Sequence, residues 1–134
     1  MTGRGGLKTI AVLELLTGIG IVLFWMVFFT IGLAPENPPQ CYHAYEHSFP
    51  LPDGVLAIVL LAAGVQLMLN KPWGRRLSLA AAGALIFLGL LDFSFNIQNG
   101  IYKASIVDLI LNAFINLWCV GFGAAVAVLV GRKA

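Results

Sequence analysis

Three carboxylic acids of this chain, Glu14, Asp92 and Asp108, fall inside long apolar stretches, where an ionisable group costs roughly 2.5 to 3.5 kcal/mol. The other three, Glu36, Glu46 and Asp53, sit in the segment after the first stretch or at the mouth of the second. Asp92 and Asn96 stand four residues apart, and Asp108, Asn112 and Asn116 repeat that step. Side chains at i and i+4 share a helix face, so the second set predicts a polar ladder about 12 Å long. Such a ladder must face protein or water. It serves either as hydrogen-bonding glue between helices or as the wall of a polar cavity. In the cavity reading, Asp92, Asn96, Asp108, Asn112 and Asn116, with Asp53, contact a small polar or cationic solute. In an enzymatic reading, Asp92 and Asp108, with Glu46 next, divide the roles of acid and base toward a lipophilic substrate. Local roles compete with both. Ser105-Ile106-Val107-Asp108 matches a helix-capping pattern, and Asp53, directly after Pro52, suits the positive end of a helix dipole.

Both histidines lie in one short segment, Cys41-Tyr42-His43-Ala44-Tyr45-Glu46-His47. On a helix, His43 and His47 would project from one face and bind zinc, with a carboxylate such as Asp53, Asp92 or Asp108 as a further ligand. The spacing H-x-x-E-H resembles that of the inverzincin metallopeptidases, which would make Glu46 the base. The chain leaves no room for a peptidase domain, and Pro35, Pro38, Pro39, Pro50 and Pro52 limit any helix there to one or two turns. The alternative is a solvated or interfacial loop whose histidines bind nothing.

Glu14 stands apart, near the opposite end of the first stretch. Arg75 or Arg76 is placed to snorkel toward it and neutralise it. The surrounding run Ala11-Val12-Leu13-Glu14-Leu15-Leu16-Thr17-Gly18 resembles the first helix of the small multidrug resistance transporters, which also carry one glutamate in a four-helix chain. The resemblance covers that helix alone and implies a ligand-binding or transport role for Glu14. Acids such as Asp92 and Asp108 depart from that family's pattern.

The elements that must position these groups follow from composition. Of 134 residues 60% are hydrophobic and 10% charged, with a mean hydropathy of +0.92, whereas soluble proteins carry about 25% charged residues. Four apolar runs, approximately 9–33, 54–69, 77–95 and 104–130, approach the roughly 20 residues a spanning helix needs. They lack the alternation of barrel strands. The expected fold is an all-α, four-transmembrane-helix bundle forming one domain over 1–134, with a loop at 34–52. Arg4, Lys8, Lys71, Arg75, Arg76, Arg132 and Lys133 fall on one side, and Lys103 alone on the other. The positive-inside rule then puts both termini in the cytoplasm and the 34–52 loop outside. The first run is too long for a signal peptide and is interrupted by Glu14, so it is expected to remain as a span.

Trp25, Trp73, Tyr42, Tyr45 and Tyr102 lie mostly near span ends, where aromatic belt anchors are expected. Gly18, Gly20, Gly64, Gly83, Gly89, Gly121 and Gly123 fit close helix contacts. Cys41 and Cys119 are separated by roughly 24 Å of depth, too far for a disulfide. A net charge of +2 without a basic stripe argues against nucleic acid as a partner. The expected partners are the bilayer of a cell membrane, a small solute or lipophilic ligand, and further copies or subunits, because four helices enclose a narrow lumen. Three functions stay open: binding or transport of a small polar or cationic solute, a membrane-embedded acid–base enzyme with or without zinc, and an accessory subunit whose buried polar groups specify assembly.

Overall fold

The computed structural model describes residues 4–132, all of its regular structure helical. Lys133, counted in the charge argument, lies outside them. Five α-helices follow one another: α1 (Arg4–Thr30), the short α2 (Tyr42–Glu46), α3 (Pro50–Met68), α4 (Trp73–Gln98) and α5 (Ile106–Gly131). A 3₁₀ turn, Ile101–Lys103, precedes α5. Four helical segments are long and apolar enough to cross a membrane, as a multi-pass membrane protein requires.

The element boundaries differ from expectation in an instructive way. The segment 34–52 is not one loop, because it contains α2 and the first turn of α3. Proline lacks only an N–H that a helix's first turn leaves unpaired anyway, so Pro50 and Pro52 open α3 rather than delay it. Asp53 thereby falls inside a helical first turn and is buried. At the other end of the bundle, Asn70 in the left-handed region (φ 56°) makes the tight turn between α3 and α4. The helix α4 restarts at Trp73 and carries Arg75 and Arg76 within its first turn.

Packing runs in a row: α1 against α3, α3 against α4, and α4 against α5. Glycine sets these distances where the backbones come closest. A Cβ on Gly64 would lie 2.9 Å from the Ala11 carbonyl oxygen, and one on Gly123 would lie 2.9 Å from that of Ala82. Gly18 and Gly89 likewise face neighbouring helices, whereas Gly20, Gly83 and Gly121 meet nothing within 4 Å. The core runs from Ile10 and Ala11 through Leu60 and Leu85 to Val126 and Val130. A second cluster, Phe28, Tyr42 and Ile101, joins α1 to α2 and the 3₁₀ turn at the opposite end.

Candidate functional site

A row of four helices whose end members are not among the closely packed pairs leaves a seam between α1 and α5, and a cavity of about 390 Å³ occupies it. Glu46 on α2, Asp53 in the first turn of α3 and Asp92 near the end of α4 line its outer part. These three carboxyls come from three elements and are close enough to repel one another. No Lys, Arg or His among the described residues lines the cavity. Among the described residues no carboxyl lies within 4.0 Å of a basic nitrogen.

Neutral donors take the place of cations. The Trp25 indole N–H donates to Asp53 Oδ2 at 2.8 Å, and the Tyr45 hydroxyl donates to Asp92 Oδ1 at 2.8 Å. The Tyr45 ring is held by a parallel stack on Phe95, centroids 3.7 Å apart. Among the described residues, each aspartate keeps one oxygen without a hydrogen-bond partner, and the Glu46 carboxyl has no such partner. Trp25, Tyr42 and Tyr45 therefore turn inward, correcting their expected role as belt anchors. Tyr102 does so too, since its hydroxyl accepts from Asn116 Nδ2. Trp73 is exposed beneath Arg76, as a belt residue would be.

Deeper in the seam, Leu13, Leu88 and Ile115 supply apolar wall. The floor is a single bridge between the end helices, the Trp118 indole N–H donating to Thr17 Oγ1 at 3.0 Å. Asn112 and Asn116 line the α5 wall. Asn112 Nδ2 is tied to its own helix at Asp108 O, 2.9 Å away, while the buried Asn116 Oδ1 has no partner.

The remaining expected site residues lie elsewhere. Asp108 does not share the cavity with Asp92. Its carboxyl accepts from the Ser105 hydroxyl at 2.7 Å, and its backbone N–H donates back to Ser105 Oγ at 3.0 Å. The carboxyls that line the cavity together are Glu46, Asp53 and Asp92, while the capping motif holds Asp108 locally. Asn96 is buried off the cavity with Nδ2 unpartnered.

Glu14 is fully buried, and its partner is the Ser78 hydroxyl at 3.1 Å rather than Arg75 or Arg76. Arg76 lies over the Trp73 ring, and Arg75 Nη1 is buried without a partner. His47 stacks on Phe29 at 5.7 Å and His43 packs edge-on to Tyr42. The two imidazoles are 5.9 Å apart. Among the described residues no group of three His, Cys, Asp or Glu side chains is placed to hold a metal ion. The third ligand that a zinc site needs is not brought to the histidines. Cys41 and Cys119 are both free thiols, one exposed and one buried.

An all-helical chain with four membrane-length helices and a carboxyl-lined lateral cavity is the class defined by fold and site. The chain belongs to the family described as Domain of unknown function (DUF8058), which it matches over residues 6–109. That match takes in the helices carrying Glu46, Asp53 and Asp92 and ends in the first turn of α5. Neither a curated protein nor a solved structure matches the chain, so the resemblance of Ala11–Gly18 to small multidrug resistance transporters rests on those eight residues alone.

Proposed function

We propose that this is a multi-pass membrane protein that binds a small cationic solute in the cavity between α1 and α5, from the extracytoplasmic side, with both termini in the cytoplasm. The observation that carries the reading is the charge composition of the cavity: three carboxyls and no basic side chain. Intramembrane acids commonly mark ion or substrate sites, and the unspent oxygens of Glu46, Asp53 and Asp92 are the acceptors for a cation's donors. Trp25, Phe24 and Phe49 supply aromatic walls, which favour a cation over their faces. The Thr17–Trp118 floor favours binding; transport requires that bridge to part.

Glu46→Gln tests this most directly, because the Glu46 carboxyl has no hydrogen bond to lose. Butylammonium chloride is expected to raise the melting temperature of the detergent-purified protein above that in equimolar sodium chloride. Glu46→Gln and Asp92→Asn, the latter keeping an acceptor for Tyr45, are expected to fold normally and to weaken the apparent affinity about tenfold each. The same melting shift in all three proteins would reject the site.

A further inference from the structure

We infer that the occupant of the cavity is a bilayer-dissolved amphiphile with a primary ammonium head, admitted sideways through the seam between α1 and α5. This rests on the cation reading above and adds the body of the ligand and its route. The route follows from helix order. The end members α1 and α5 are not among the packed helix pairs, and their described polar link is the Trp118–Thr17 bridge at the floor. Leu16 of α1 and Phe114 of α5 both line the cavity and are 59% and 65% exposed. In a bilayer that exposure is to acyl chains, so the mouth opens to lipid. Gly20, also on the lining, meets nothing within 4 Å and leaves the mouth wide.

The ligand's body follows from the polarity gradient. The three carboxyls line the outer part, and Leu13, Leu88 and Ile115 line the inner part beside Thr17 and Asn116, so a molecule with a polar head and a mainly apolar body satisfies both ends. The head follows from donor count. Three carboxyls offer unspent oxygens, and an –NH₃⁺ group presents three N–H donors, whereas a trimethylammonium group presents none. A long-chain amine and an aminophospholipid share this chemistry, and the experiment separates them.

Trp25 and Trp118 line the cavity, so Trp73→Phe leaves an emission signal that comes from the site alone. In phosphatidylcholine nanodiscs, dodecylammonium is expected to change that emission saturably, about tenfold more tightly than butylammonium or dodecyltrimethylammonium at equal membrane concentration. Gly20→Leu, which narrows the mouth, is expected to weaken dodecylammonium about tenfold more than it weakens butylammonium. Phosphatidylethanolamine discs distinguish the sources: that lipid competes with dodecylammonium if its headgroup is the occupant, and has no effect if a free amine is.

Equal affinity for butylammonium and dodecylammonium would overturn the amphiphile inference and leave the cation reading standing. Equal affinity for the primary and quaternary dodecyl compounds would overturn the assignment of the head. An equal effect of Gly20→Leu on both primary amines would overturn the lateral route. Binding of none of these cations would remove the proposed function itself.

Discussion

Buried and half-buried carboxyls in this protein are answered by neutral donors: Trp25 for Asp53, Tyr45 for the half-buried Asp92, Ser78 for Glu14 and Ser105 for Asp108. Neutral donors satisfy one oxygen of Asp53 and of Asp92 and leave the other free, which is the basis of the proposed cation site. Removing one leaves a desolvated acceptor, at a cost of about 1 to 3 kcal/mol. Ser78→Ala is therefore expected to lower thermal stability in detergent by that amount, since Glu14 is fully buried and has no other hydrogen-bond partner. Ser105→Ala is expected to cost about 1 kcal/mol as a lost helix cap, with Ser105→Thr restoring most of it. The Ser105–Asp108 bond was legible because its partners are three residues apart and the pattern is local. The Trp25–Asp53 and Tyr45–Asp92 bonds join residues 28 and 47 positions apart. An aromatic residue near a span end carries no local sign of which way its polar tip will turn.

Helix spacing depends on a few glycines, and sequence alone did not separate those at contacts from those facing outward. Gly64→Ala is expected to push α1 from α3, because the new methyl would sit 2.6 Å from Leu15 Cγ and 2.9 Å from a backbone oxygen. Overpacking of that kind costs about 1 to 3 kcal/mol. Gly83→Ala meets nothing within 4 Å and is expected to leave stability unchanged or raise it by up to about 1 kcal/mol through helix propensity. Melting curves of the two variants in one detergent check the contrast. The extra turn at the start of α3 and the short α2 were hidden by prolines that read as breaks. These two elements bring Asp53 and Glu46 to the cavity.

At the scale of the whole molecule, orientation is the open expectation with the most direct check. Cys41 is exposed beside α2, and Cys119 is buried. A membrane-impermeant maleimide is expected to label intact cells at Cys41, and Cys41→Ser to abolish the labelling. Labelling only of inverted vesicles would reverse the topology and put the carboxyl cavity on the cytoplasmic side. Four apolar runs, their helical nature and their separation by short polar breaks were all determined by the sequence, because hydropathy is summed along the chain and lipid leaves the backbone few solutions. Which acids share a space was decided by tertiary structure alone. The ladder on α5 predicted Asp92 with Asp108, but the packing order of the helices opened the seam between α1 and α5 and gathered Glu46, Asp53 and Asp92 there. Periodicity reports which residues share a face; it does not report which neighbour that face meets.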